Sequence, residues 1–513
     1  MKRVFLAVAL LTAAGAIYAQ TPEDALRYSW LQNTLRYSWL QNTGTARSQG
    51  IANANGAIGG EISTIFSNPA NIGFYKTSDL VITGGLNLMN NKTSYLGVTT
   101  KDNKSSGFLG TSGFVMGNPT YGNGSLRSSA FGFAINRVAD FNNRITYTNK
   151  GGTLSRTSMA DYFMEDIDKY RDCNPYGSGL AFETYWVDDT TSGGALFSSA
   201  SELARASGLE QKQEIITNGG ITEFAFAGAA NINDKVYLGA TIGLPVLQYG
   251  ATRLYDEQDP SESTINQFNN AYFDDDLVTK GVGINFKLGA VFKVNDNVRL
   301  GVYAHTPTWY SLSDTYYAAA GADVEDYPTL DDNNEHEAPR DPRVLVFDYN
   351  LRTPFKVGAS FSVLFGNVYD VKTQKGFISG DVEYVNHAAS TFKNTSNNRT
   401  IIYRELNRAI DTAYQGAVNA RLGAELKFNP VMVRLGGAYY GNPYKDIAGE
   451  KGSITQITGG LGYRNHGFFV DLGYVHTLGK DVVFPYRLTS ASNYPAEVKS
   501  NNSRVVLTVG IKI

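Results

Sequence analysis

The feature that most constrains this chain is a period-two alternation of apolar and polar residues, sustained over runs of about ten residues. At the C-terminus Val505, Leu507, Val509, Ile511 and Ile513 share one face, and Arg504, Val506, Thr508, Gly510 and Lys512 share the other. Just before it, Phe468, Val470, Leu472 and Tyr474 oppose Phe469, Asp471, Gly473 and Val475. Residues 282–294 set Val282, Ile284, Phe286, Leu288, Phe292 and Val294 against Gly283, Asn285, Lys287, Gly289 and Lys293. Residues 418–428 set Val418, Ala420, Leu422, Ala424, Leu426 and Phe428 against Asn419, Arg421, Gly423, Glu425 and Lys427. Successive side chains of a strand point to opposite faces, so each run is a strand with one apolar and one polar face. A soluble sandwich turns its apolar faces inward, whereas a barrel in lipid turns them outward and encloses the charges.

The joins discriminate between the two. Fourteen strands are predicted, at 78–90, 126–137, 141–150, 221–231, 235–252, 279–294, 297–310, 343–365, 376–391, 411–428, 430–441, 452–464, 467–478 and 503–513. Short polar turns fall at Asn231–Asp234, Asn295–Asn297, Asn429-Pro430 and Arg464–Gly467, with slightly longer ones at 138–140 and 366–375. Between them lie long joins at 91–125, 151–220, 253–278, 311–342, 392–410, 442–451 and 479–502. Alternating short and long joins are the pattern of a bacterial outer-membrane barrel, with short turns in the periplasm and long loops outside. An even strand count puts both chain ends in the periplasm. The predicted class is therefore all-β, a transmembrane antiparallel barrel of about fourteen strands occupying 78–513.

The N-terminus is read as a signal peptide over residues 1–19. Lys2 and Arg3 precede the apolar run Val4–Ala16, and the small Ala19 offers a cleavage point before Gln20. No later run has the apolar length of a membrane helix. Losing Lys2 and Arg3 takes the net charge from −3 to about −5. That acidity argues against a nucleic-acid partner, whose phosphates call for a basic face. The single cysteine, Cys173, has no partner for an internal disulfide and lies in a polar stretch, Arg171 to Pro175.

Residues 20–77 are rich in Gly, Ala, Asn and Ser and lack alternation. A lumen of fourteen strands is open unless something fills it, so this segment is read as a plug, or hatch. Within it, LRYSWLQNT at 26–34 recurs unchanged at 35–43. Two copies are too few for a solenoid. They are either a local duplication or two copies of an aromatic ligand site, at Tyr28/Trp30 and Tyr37/Trp39.

Four stretches resemble the FadL family of outer-membrane transporters for hydrophobic compounds, including its Bacteroidetes-type members. They are Gly59–Ala70, which ends in Asn68-Pro69-Ala70 like the family's hatch; Tyr237–Pro245; Arg299–Thr308; and the pair Leu461–Tyr463 and Phe469–Tyr474. Asn71 departs from the Gly found there in many relatives. The resemblance implies passive uptake of hydrophobic molecules, long-chain fatty acids or aromatic hydrocarbons. Ligand is captured among outer loops, the hatch moves, and the ligand leaves sideways through a gap in the wall. It implies a hatch motif of Asn68, Pro69 and Ala70, with Ile65, Phe66, Ile72 and Phe74 as apolar ligand contacts. Pro69 lacks a backbone donor and extends Asn68, whose amide can satisfy freed backbone groups. The bend serves either as a fixed plug turn or as a gate.

No catalytic constellation, cofactor site or metal site is read from the sequence. The five His are scattered without ligand spacing. The acidic stretches Asp331–Glu337 and Asp274–Asp276 are read as solvated loops, with calcium as the alternative. The inward charges Lys287, Arg299, Asp381, Glu383, Arg421, Glu425, Arg434, Asp471 and Arg504 are expected to pair across the lumen wall in networks that hold the plug, or else to form a selectivity ring. The expected partners are hydrophobic small molecules, outer-membrane lipid and lipopolysaccharide, and the expected state is a monomer. Competing readings are a general porin, and a surface receptor or adhesin, for haem among other ligands, acting through its long loops.

Overall fold

The computed structural model describes residues 35–39, 41, 43–120, 124–189, 195–261, 263, 266–325, 335–339, 343–366, 374–395, 400–445 and 452–513. The expected signal peptide and the first nonapeptide copy lie outside them.

Once the pieces of interrupted strands are joined, fourteen antiparallel strands close into a barrel. They are β1 (Asp79–Tyr95), β2 (Val98–Leu109 and Ser112–Pro119), β3 (Leu126–Asp140 and Asn143–Thr148), β4 (Glu210–Ile232), β5 (Val236–Gln258), β6 (Asn270–Lys293) and β7 (Val298–His305 and Trp309–Asp323). Then follow β8 (Leu345–Arg352 and Lys356–Gly366), β9 (Gln374–Asn386 and Thr391–Asn394), β10 (Gly416–Phe428), β11 (Val431–Tyr440), β12 (Ile454–Asn465), β13 (Phe468–Val483) and β14 (Ala496–Lys512). The last strand closes on the first, from Asp79 opposite Lys512 to Ser94 opposite Glu497. Closure pairs the backbone of the wall strands, where an unpaired group in the apolar layer is costly, except along one stretch between β2 and β3.

The faces are those of a barrel in lipid. Ile82, Leu288, Phe428 and Leu435 are 61–67% exposed, whereas Arg421, Glu425, Arg434 and Asp471 are 1–3% exposed. A soluble sandwich would reverse these values.

Three features of the predicted strand plan are corrected. Residues 98–119, placed in a long join, form β2, and the join before it is the tight turn Leu96-Gly97, both at positive φ. The stretches 126–137 and 141–150, predicted as two strands joined by a turn, are one interrupted strand, β3. The two errors cancel in the count. Residues 411–413, assigned to a strand, end the helix Thr400–Ala413 instead. Several strands also run further outward than predicted, β5 to Gln258 and β4 from Glu210. The remaining joins alternate short and long as expected.

Candidate functional site

Residues Gly44 to Tyr75 thread through the lumen. The short helix α1 (Ala46–Gly50) leads into two 3-10 turns, Ile62–Phe66 and Pro69–Phe74. Asn68 caps the second turn and Pro69 occupies its first position, where a missing N–H costs nothing. The Asn68 side-chain oxygen accepts from Ala70 N (3.2 Å). Its Nδ2 donates to the Gly56 carbonyl (2.7 Å) and to Ala290 O on β6 (3.4 Å). Asn71 makes a matching set: its Nδ2 donates to the same Gly56 carbonyl (2.9 Å), and its Oδ1 accepts from Gly59 N (2.9 Å). The departure from Gly at position 71 thus adds a second clamp between the two ends of the hatch loop.

Glycines on the inner wall let this loop approach. A Cβ on Gly289 would stand 1.9 Å from Asn68 Oδ1, and one on Gly239 2.5 Å from Ala70 N. At α1, Gly423 and Gly436 play the same part beneath Ile51. Charges complete the seat. Arg47 of α1 pairs with Glu425 (3.0 Å) and Glu61 (3.6 Å), and Arg434 pairs with Glu425 and Asp471, both at 2.7 Å. A second buried cluster joins Arg421 to Asp381 and to Glu383 (3.7 Å), and Lys287 pairs with Glu223. The inward charges therefore pair as expected, except two. Arg299 donates to the Ile58 carbonyl and covers the Phe74 ring, and Arg504 donates to Asn87 (2.7 Å).

The expected apolar contacts separate. Ile65 and Ile72 are spent on packing the hatch against the wall, with Val81, Val115, Ala134 and Ala225. Phe74 stacks on Tyr237, centroids 3.7 Å apart, towards the short turns. Phe66 alone of the four lines the lumenal cavity. That cavity is about 90 Å³, of mixed polar and apolar surface, and is bordered by the charged or titratable groups Glu223, Lys287, His305, Lys356 and Glu383.

The described residues of the second nonapeptide copy, 35–39, 41 and 43, sit above the hatch. Tyr37 is 1% exposed in a tyrosine-rich cluster with Tyr249, Tyr310 and Tyr349, and Arg36 covers the Tyr249 ring at 4.3 Å. Leu406 and Ile410 of the helix Thr400–Ala413 close the same cluster from the long-loop side. A dome of the join after β3 lies beside it. Its helix α2 (Met159–Tyr170) points its N-terminus at buried Glu257, which accepts from Met159 N (3.1 Å) and Trp186 Nε1 (3.0 Å).

The wall itself is broken between β2 and β3. The short-turn half of β2, from Ser112, pairs with β3 from Ser112↔Ile135 to Pro119↔Ser128. The long-loop half, Val98–Leu109, is laddered to β1 alone, and Asn143–Thr148 of β3 is laddered to β4 alone. Beyond Val138, β3 turns into the lumen behind β2, so side chains on the inner face of β1 reach it directly. Asn87 Nδ2 donates to Asp140 (2.6 Å) and Asn91 Nδ2 to Asn143 (2.6 Å). From β2, Ser106 Oγ donates to Asp140 (3.3 Å), Asp102 accepts from Thr146 N (2.7 Å), and Lys104 Nζ donates to Thr217 O (2.8 Å). Side-chain hydrogen bonds thus replace a backbone ladder here. Beside this seam lies a cavity of about 360 Å³, faced by Trp39, Met89, Val138, Phe141, Tyr249 and Ile454 among polar groups. Sequence reasoning misses the seam. Its one mark, the break in β3 between Asp140 and Asn143, adjoins the stretch 138–140 that reads as a hairpin turn.

No family model and no curated protein matches the sequence. Solved structures do match. A FadL homologue from Pseudomonas aeruginosa superposes with a TM-score of 0.54 at 13% identity, over 92% of this chain and 99% of that one. The toluene transporter TodX of P. putida gives 0.50 at 13% identity, with the same coverage of both chains. The chain has the fold of the FadL-like outer-membrane transporters.

Proposed function

We propose that the protein is a monomeric outer-membrane channel of a Gram-negative bacterium for passive uptake of hydrophobic molecules. Long-chain fatty acids and aromatic hydrocarbons are the cargo class; one structural neighbour is a toluene transporter. The supporting observation is the combination of a plugged lumen with a wall seam beside a partly apolar cavity. An apolar molecule gains nothing from a straight aqueous pore, because re-entering water costs about 25 cal/mol per Å² of apolar surface. A sideways exit between β2 and β3 passes it from the cavity into lipid. In this reading the turn at Asn68-Pro69-Ala70 shifts when ligand arrives, and the Phe66 ring is the hatch's contact with the path. The hatch weighs against a general porin, because its backbone crosses the lumen.

The test is a lock across the seam. In a Cys173→Ser background, Ser106→Cys with Asp140→Cys replaces touching side chains by a disulfide. Oxidised cells are expected to lose uptake of a radiolabelled fatty acid and of toluene, and a reductant is expected to restore it. Full uptake by the oxidised form would rule out the lateral route. Normal uptake of both cargoes in a deletion strain would rule out the function.

A further inference from the structure

Away from the seam, the outward face of the barrel carries a dent of about 440 Å³ where β6, β7, β8 and the end of β9 meet. Its lining includes Val282, Ile284, Trp309, Asn350, Arg352 and Lys393. The dent has a covalent origin. β7 is interrupted at Thr306-Pro307-Thr308 and β8 at Thr353-Pro354-Phe355, and a proline cannot donate to the ladder. Below the interruption β6 pairs with the first piece of β7, from Lys287 opposite His305; above it β6 pairs with the second, from Ile284 opposite Trp309. The wall nevertheless stays sealed. Thr308 N donates to Thr353 Oγ1 (2.9 Å), and Thr353 N donates to Thr308 O (3.0 Å). This is a surface groove, not a second seam.

Strand register gives the groove two chemical halves. Towards the short turns it continues into the exposed apolar belt, with Ile284, Val302 and Val357, while Val282 stands one row further out, opposite Ser311. Trp309, 43% exposed, stands at the long-loop edge of that belt, the level at which membrane barrels place aromatic girdles. Directly opposite Trp309 is Arg352, and the next outward row crosses three strands as Ser311, Asn350 and Lys393. Both cations are exposed, and among the described residues neither makes a salt bridge. The nearest acid on this face of β8, Asp348, is four residues from Arg352, about 13 Å along a strand, and one row, about 7 Å, beyond Asn350, which faces Lys393. Two cations thus stand side by side above an apolar groove, at the depth where lipid headgroups begin.

We infer that this groove binds one phosphate-bearing lipid of the outer leaflet, with the phosphate on Arg352 and Lys393 and an acyl chain along Val282, Ile284 and the Trp309 ring. Arg352 offers the planar fork that matches a phosphate, and Lys393 adds a point charge. A zwitterionic headgroup carries its own cation and gains less from this pair. The inference rests on the barrel being embedded in a membrane, not on what it transports.

The experiment uses the full barrel, purified in mild detergent and checked for folding by its heat-dependent gel mobility. Native mass spectrometry and thermal unfolding are read with added diphosphorylated lipid A, with phosphatidylcholine, and with inorganic phosphate. Wild-type protein is expected to retain one lipid A and to be stabilised by it. Arg352→Ala with Lys393→Ala is expected to bind it at least tenfold more weakly, and Trp309→Ala to weaken it without abolishing it. Where the double variant does not fold, Lys393→Gln alone gives the same readout at an exposed strand end. The inference is overturned by equal lipid A binding in the charge variants, by equal stabilisation with phosphatidylcholine or inorganic phosphate, or by a folded wild-type barrel that binds no lipid A. A barrel that does not fold in detergent or insert into liposomes would instead contradict membrane embedding.

Discussion

Asn68 makes the hatch turn and fastens it to the wall with one side chain. Its oxygen caps the turn and its nitrogen bridges Gly56 and Ala290. Asn68→Ala removes the cap, for about 1 kcal/mol. It also leaves buried carbonyls with fewer donors, for a further ~1 kcal/mol or more. The thermal midpoint in detergent is expected to fall, and Asn68→Asp, which keeps the cap but turns a buried carboxylate oxygen towards the Gly56 and Ala290 carbonyls, is expected to lower it further. Gly289→Ala acts on the same contact from the wall and is expected to be worse, because the added carbon meets Asn68 Oδ1 and sits on a laddered backbone that cannot retreat. A midpoint unchanged in both variants would mean that the hatch turn is not held where it is described. At this scale the sequence is legible on the wall and not in the hatch. Lys287, Asp381, Glu383, Arg421, Glu425, Arg434 and Asp471 all face inward because alternation leaves a strand residue only two choices. Arg47 and Glu61, which complete the Glu425 cluster, lie in a segment with no periodicity, so nothing in sequence points them at the wall.

Among elements, the instructive one is β2. Val98–Leu109 carries Lys101, Asp102, Lys104 and Ser106 and has no continuous apolar face, so its sequence reads as a loop. The structure supplies the reason. Its inner face, with Asp102, Lys104 and Ser106, is polar like that of the other wall strands and is satisfied by the inturned end of β3, whose Thr146 backbone and side chain both donate to Asp102, while its outer face, with Thr99, Lys101, Asn103 and Ser105, lacks the apolar residues of the belt, so alternation gives no signal. A seam closed by side chains opens more readily than a ladder, and amide exchange is expected to be faster in Val98–Leu109 than in β12 or β13. Equal protection would contradict the seam. The dome makes a pH-dependent contact of the same kind. Burial by itself raises the Glu165 carboxyl, but hydrogen bonds from Ser490 and Thr489 outweigh it and hold it below its usual value of 4.5. A depressed carboxylate stabilises the folded contact above its ordinary range, and that stabilisation disappears as pH falls through the lowered value. The join 484–495 is therefore expected to be protected from protease at pH 7 and to be released as pH falls below the ordinary carboxylate range, whereas Glu165→Gln is expected to leave it loose at both ends of that titration. Insensitivity of the cleavage rate to pH and to this variant would remove Glu165 from the contact.

At the scale of the molecule, the arrangement has to solve two opposed problems: a barrel wide enough for cargo must not leak. The hatch answers the second, and its anchorage is electrostatic as well as steric. Glu425 lies between Arg47 of the hatch and Arg434 of the wall, all of them nearly out of solvent. Glu425→Ala leaves two buried guanidinium groups facing each other with one carboxylate remaining to each, Glu61 on Arg47 and Asp471 on Arg434, so the cost is expected to stay below the ~3–5 kcal/mol of a fully unpaired buried charge. Because the β-ladder does not depend on Glu425, that cost is expected to fall on the seating of α1 and not on the barrel. In planar bilayers wild-type protein is therefore expected to show little ion conductance, and Glu425→Ala is expected to show brief openings. Arg47→Met, which removes the hatch charge and fills its space, is expected to stay closer to wild type, since it leaves the Glu425–Arg434 pair intact. If Glu425→Ala lowers the thermal midpoint with no openings, the charges stabilise the wall alone. If wild-type protein already conducts like an open porin, the lumen is not sealed by the hatch, and the lateral route loses its reason to exist.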